Sequence, residues 1–136
     1  MDTESRYILM VEDDPDDRYI TQQTLQDIGR NIAVTFLTQS DKVFPFLERQ
    51  ELPAVILVDY DISPGNGLEL LQELKRHPKY GHIPVIILGE SDDPDLVREC
   101  YRQGANSFVA KPSTFGGTVK KIEHFFTYWL EIAELG

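Results

Sequence analysis

Tyr7-Ile8-Leu9-Met10-Val11 runs without a break into Glu12-Asp13-Asp14-Pro15. A continuous apolar run this short, stopping abruptly at acids, reads as a strand buried on both faces, as strands of parallel sheets are. The acids mark its polar C-terminal tip. Asp14-Pro15 then supplies an N-cap followed by proline at the first helical position, and Gly29 closes the helix. A buried strand handing over to a capped helix is the repeating unit of an α/β fold.

Working outward, the same grammar recurs. Ile32 to Leu37 alternates through Ile32, Val34 and Phe36, the pattern of a strand nearer an edge. Asp41 to Gln50 reads as a weak helix, since Pro45 fits only in a first turn. Ala54 to Val58 is a second continuous apolar run, and it too ends on an acid, Asp59. Asn66 can cap a helix carrying Leu68, Leu71 and Leu74 that stops before Pro78. Ile83 to Leu88 reads as a third buried strand, and Asp93-Pro94 repeats the cap-and-proline signal for a helix closed by Gly104. Ser107 to Ala110 is a short last strand, followed by a long amphipathic helix from about Thr118 to Leu135. Five βα units in this order predict a doubly wound five-stranded parallel sheet with helices on both faces. Ligands of such sheets bind beyond the C-terminal strand ends, where the strand order reverses. The acids lie there.

Composition narrows the function. The 136 residues fit one domain, and the expectation is a single domain over 1–136 with no output domain. With 13 basic against 23 acidic residues, the net charge of -10 repels phosphate backbones and anionic lipid, so neither nucleic acid nor membrane is an expected partner. The single cysteine, Cys100, cannot form an internal disulfide and has no zinc-ligand spacing around it, which fits a reducing cytoplasm. It lies on the apolar face of its helix beside Val97 and Tyr101 and reads as a small core residue. His77, His82 and His124 are scattered without metal spacing and read as surface residues.

The chemistry concentrates at the strand tips. Asp14, Asp16 and Asp17 read as a solvated helix start that complements the helix dipole. Glu12 and Asp13 instead prolong a buried strand, where a carboxylate is costly without compensation. Together with Asp59 they bring three carboxylates to one sheet edge. Oxygen-only donors without histidine suit Mg²⁺, which shares its sites with phosphates. Lys111-Pro112 follows the last strand, and a lysine there can neutralise the carboxylates or hold a transferred phosphoryl group as a point charge.

Taken together, Ile8 to Asp14, the Val55 to Asp59 strand with Gly67 eight residues on, Ile83-Pro84-Val85-Ile86, Gly104-Ala105 and Lys111-Pro112 resemble the receiver domain of two-component response regulators. The resemblance spans nearly the whole chain. It implies a flavodoxin-like receiver fold in which Asp59 accepts a phosphoryl group from a kinase phosphohistidine, with Mg²⁺ as cofactor. It further implies that Asp13 binds the metal directly, Glu12 mainly through water, and the Asp61 backbone carbonyl as a further oxygen. Lys111 would pair with the phosphoryl oxygens, and Phe108 would be the aromatic whose orientation reports the state. The Trp129-Leu130-Glu131 ending resembles the single-domain regulators that partner bacterial phytochrome kinases. The implied partner is therefore a sensor histidine kinase or phosphotransfer protein, with a bacterial phytochrome as one such kinase.

Two departures stand out. Where the family has Thr or Ser after the fourth strand, this chain has Gly89-Glu90, so a phosphoryl ligand loses a hydroxyl partner; Ser91 and Ser63 are the candidate replacements. The family's proline four residues after the acceptor is replaced by Ser63, with Pro64 next. Gly89 leaves open a phosphorylation-independent interaction module. Asp59-Tyr60-Asp61-Ile62-Ser63 also resembles the signature of haloacid-dehalogenase-type phosphatases, although Lys111 then stands in the wrong order. The last helix carries apolar residues from Val119 to Leu135 over about 220° of its circumference, more than one sheet face needs, which predicts a homodimer through it.

Overall fold

The computed structural model describes residues 7–27, 33–90 and 93–110. Gly29, Ser91, Lys111, His124, Trp129 and the helix expected over 118–135, with its dimer surface, lie outside the described residues. The elements are β1 (Tyr7–Val11), α1 (Pro15–Asp27), β2 (Ala33–Leu37), a 3-10 turn (Ser40–Lys42) running into α2 (Val43–Arg49), β3 (Val55–Asp59), α3 (Gly67–Arg76), β4 (Val85–Gly89), α4 (Pro94–Arg102) and β5 (Ser107–Ala110). All five strands are parallel, in the order β2-β1-β3-β4-β5.

The chain moves outward from β1 to β2, then crosses back to β3 and continues the other way. Strand order therefore reverses between β1 and β3, two strands whose sequences are continuous apolar runs. Every residue of β3 is buried, whereas β2 at the edge is only partly covered, as its alternation predicts. One face of the sheet places Leu9, Val11, Ile56, Val58 and Ile87 against Val43, Leu47, Leu71 and Leu74 of α2 and α3. The opposite face gathers Ile8, Met10, Val55, Leu57 and Ile86. Each fully buried side chain of this kind contributes about 1.5–3 kcal/mol.

The helix starts follow the capping residues. Asp14 Oδ1 accepts the Asp16 N–H at 2.8 Å, Asn66 Oδ1 that of Glu69 at 3.0 Å and Asp93 Oδ1 that of Asp95 at 3.1 Å. α4 ends where Gly104 takes φ +106°, a conformation that favours glycine, and returns its N–H to the Tyr101 carbonyl.

Two expectations need correction. β4 begins at Val85 and not at Ile83, because the Ile83 N–H is taken by the Tyr80 carbonyl and Pro84 has no N–H to give. His77 is not a simple surface residue: its ring stacks on Tyr80 at 4.2 Å with Phe44 at 5.8 Å, and its Nδ1 accepts the Lys79 N–H. Nearby, Lys75 Nζ donates to the carbonyls of Gly81 (3.3 Å) and Ile83 (2.8 Å) and to Asn106 Oδ1 (3.2 Å), clasping α3 to the entries of β4 and β5. Partial burial lowers the Lys75 pKa below the ordinary lysine value.

Candidate functional site

The register explains why three carboxylates meet. Val11 of β1 is opposite Val58 of β3, so one further residue along each strand sets Glu12 beside Asp59. Glu12 is fully buried, Asp59 is 4% exposed and Asp13 is exposed, and carboxylate oxygens of all three lie within 4.8 Å of one another. Like charges this close repel by on the order of 3 kcal/mol per pair at an effective dielectric of about 20. Such an arrangement of hard oxygen donors at a strand-order reversal is chemically suited to a small divalent cation.

The backbone holds each acid in place. The Glu12 N–H donates to the Leu37 carbonyl at 2.9 Å, and one Glu12 carboxylate oxygen accepts the Asp14 N–H at 3.2 Å. Asp59 Oδ1 accepts the Asp61 N–H at 3.2 Å, the Ile62 N–H returns to the Asp59 carbonyl and the Tyr60 N–H bonds the Leu88 carbonyl at 2.7 Å. The loop beyond β3 is thus wound tightly around the Asp59 carboxylate.

Gly67 permits this winding. Its N–H donates to the Tyr60 carbonyl at 2.7 Å, and a Cβ there would sit 2.8 Å from both the Asp59 carbonyl oxygen and the Tyr60 Cα. Only a residue without a side chain lets α3 start so close to the end of β3. Further along the loop, Gly65 takes φ +74°.

Of the residues singled out from the sequence, Glu12, Asp13 and Asp59 come together as expected. Asp61 is exposed and contributes its N–H to the Asp59 carboxylate, a contact that spacing did not reveal. Gly89 is buried at the tip of β4, beside Ala110 of β5, and Glu90 is exposed just beyond it. Phe108 is half-buried against the core and opposite Ile87. Sequence reading missed Arg18, whose Nη1 donates to the Glu12 carbonyl at 3.0 Å. Its signal was its place one turn beyond Pro15, on the side of α1 that faces back to the end of β1.

The sequence matches the family profile of the response regulator receiver domain over residues 8–123. The chain belongs to the response regulator receiver family. The receiver is 31% identical to the two-component response regulator ORR12 of Oryza sativa subsp. japonica, over 79% of this chain and 88% of that protein. It is 27% identical to the response regulator Rcp1 of Synechocystis, over 96% of this chain and 92% of that protein. The crystal structure of the Mn²⁺-bound form of Rcp1 superposes with a TM-score of 0.89, covering 96% of this chain and 99% of Rcp1. The phosphorylated cyanobacterial phytochrome response regulator RcpA superposes with a TM-score of 0.88 at 23% identity, over 95% of this chain and 96% of that one, a likeness of fold. Family membership sets aside the phosphatase reading of Asp59 to Ser63, which left Glu12 and Asp13 without a role. Among the described residues no helix is long and apolar enough to cross a membrane.

Proposed function

We propose that this receiver accepts a phosphoryl group on Asp59 from the phosphohistidine of a sensor kinase or phosphotransfer protein, with Mg²⁺ as cofactor. The observation that carries this reading is the convergence of Glu12, Asp13 and Asp59 at the strand-order reversal, with Asp59 on the tip of the central strand. In the transfer, an Asp59 carboxylate oxygen forms a bond to phosphorus as the P–N bond to the donor imidazole breaks, leaving an acyl phosphate and a histidine. Asp13, Asp59 and the Asp61 carbonyl would hold the metal, Glu12 mainly through water, and the ion when bound would supply charge neutralisation to the phosphoryl oxygens.

The rest of the work falls to the chain itself. The Asp61 N–H orients the Asp59 carboxylate, and Gly67 keeps the loop wound so that this N–H reaches it. Lys111, the residue after β5, pairs with the phosphoryl oxygens in this reading. Gly89 offers no hydroxyl to the product, so the backbone N–H of Glu90 contributes a donor at the tip of β4, with Ser91 and Ser63 as candidate hydroxyls, and Glu90 itself brings a carboxylate that affects the phosphoryl lifetime. The net charge of -10 supports signalling by docking or onward phosphotransfer without contact with nucleic acid, and the single cysteine fits a cytoplasmic setting. Similarity to the bacteriophytochrome response regulator RtBRR, at 29% identity, supports a phytochrome-type kinase as the donor.

The test is Asp59→Asn. Incubated with acetyl phosphate and Mg²⁺, the parent is expected to acquire an acid-labile phosphoryl group, read by intact-protein mass, and the variant none. Equal labelling of both proteins would remove Asp59 as the acceptor.

A further inference from the structure

α4 and β5 are joined by a short loop that is tied down at almost every residue. The Gly104 N–H returns to the Tyr101 carbonyl and that of Ala105 to the Cys100 carbonyl, both at 3.0 Å. Asn106 is bonded twice to Val85, through its own N–H to the Val85 carbonyl at 2.9 Å and through Oδ1 to the Val85 N–H at 3.0 Å. The loop is therefore anchored to β4 and does not let α4 slide freely.

One contact bridges helix and strand directly. The Phe108 N–H donates to the Tyr101 hydroxyl at 3.1 Å. β5 forms the end of the described sheet, so this N–H faces an open edge, and the phenol caps it. Tyr101 is 47% exposed, one of only two large hydrophobic side chains among the described residues left so open. A tyrosine that leaves most of its ring outside the core while its hydroxyl reaches seven residues ahead is placed for its polar end, not for burial.

The position of this contact along β5 matters. Phe108 is opposite Ile87, two residues before Gly89, and β5 leads within three residues to Lys111. Gly89 has no side chain with which to tie β4 to a bound phosphoryl group. Besides the short link from β4 to α4, a rearrangement at the strand tips can reach α4 along the backbone of β5, and the Tyr101–Phe108 bond is a direct hydrogen bond between that strand and the helix.

We infer that Tyr101 is a positioning residue: its hydroxyl couples α4 to β5 at Phe108, so that α4 follows β5 when the acceptor site is loaded. The inference rests on the phosphoacceptor reading and adds the route by which its loading is felt on the outer surface. It commits to a hydrogen bond and not to the ring.

The experiment compares the parent with Tyr101→Phe by ¹⁵N–¹H NMR during titration with beryllofluoride and Mg²⁺, beryllofluoride standing in for the phosphoryl group. In the parent, loading is expected to shift the amides of Phe108 and of Leu96 to Arg102. In the variant the Phe108 shift should persist while the α4 shifts fall to about half or less, with apparent affinity changed by about two- to tenfold, the equilibrium effect of one net hydrogen bond. A residue that merely supported the fold would lower the melting temperature and leave the α4 response to loading intact, which would overturn the inference. Incorporation of 3-fluorotyrosine at position 101 keeps the hydroxyl and is expected to keep the α4 response, with a ¹⁹F signal that moves on loading; a ¹⁹F signal unmoved in the loaded protein also overturns it. Failure of the parent to bind beryllofluoride would sink the phosphoacceptor reading and this inference together, whereas loading with an unaltered α4 response in Tyr101→Phe would remove the inference alone.

Discussion

Gly67→Ala tests whether the acceptor loop is held by close backbone approach. The added Cβ would lie 2.8 Å from the Asp59 carbonyl oxygen, 2.8 Å from the Tyr60 Cα and 3.2 Å from Val58 Cγ1. The first two are main-chain atoms of a buried strand end, so relief requires α3 to back away by roughly half an ångström. Overpacking of this kind costs about 1–3 kcal/mol, from which the better helix propensity of alanine recovers at most about 1. A net loss of about 1–2 kcal/mol is expected, seen in urea unfolding as a midpoint lowered by roughly 0.5–1 M with unchanged slope. Because the Gly67 N–H holds the Tyr60 carbonyl, the shift also loosens the turn that sets the Asp61 N–H on Asp59, and beryllofluoride should bind more weakly. A variant within about 0.5 kcal/mol of the parent and unchanged in that affinity would refute the argument from close approach.

Two further outcomes follow from the same geometry. Divalent cation should raise the melting temperature of the parent with increasing Mg²⁺, approaching about 2.7 kcal/mol at a hundredfold excess over the dissociation constant, and Asp13→Asn should lose most of that gain; equal gains in calorimetry would exclude Asp13 as a ligand. Lys75→Met should cost about 1–2 kcal/mol near neutral pH by releasing three oxygen acceptors that are partly open to water. Since the folded pKa of Lys75 lies below its ordinary value of 10.5, the unfolded chain binds more protons between the two. The parent should therefore gain stability relative to Lys75→Met as pH rises through the depressed value, and denaturation at several alkaline pH values that showed a constant difference would contradict this.

What could be read in the sequence was whatever local chemistry dictates. The runs Tyr7 to Val11 and Ala54 to Val58 announced central strands because burial on both faces leaves no polar alternation. Asp14, Asn66 and Asp93 announced helix starts because few side chains can serve an orphan N–H. Glu12, Asp13 and Asp59 were legible as a site because a carboxylate that prolongs a buried run is costly unless a cation or a hydrogen bond compensates it. The start of β4 was misplaced because Ile83 and Pro84 look like strand by apolarity, while their backbone groups are spent on a turn. His77 was missed because its stack on Tyr80 is a tertiary contact. The clasp of Lys75 left no trace because two of its three partners are main-chain carbonyls, which every residue possesses. Arg18 and the Asp61 N–H escaped similarly, through contacts in which the backbone supplies one partner.

Asp59 belongs to the paired ladder of the central strand, opposite Leu88, and is only 4% exposed. The Asp61 N–H bonds its carboxylate and the Ile62 N–H its carbonyl, so the side chain is held at the strand end. In the proposed phosphoacceptor reading, the donor must make the approach. Its imidazole has to be delivered down onto the end of β3, past exposed Asp13 on one side and exposed Glu90 on the other. That geometry favours a histidine presented on a narrow, convex support such as the flank of a helix, and it disfavours one recessed in a cleft of its own. In that reading Glu90, the rim acid not assigned to the metal, favours a donor surface that is positively charged around its histidine over an acidic one.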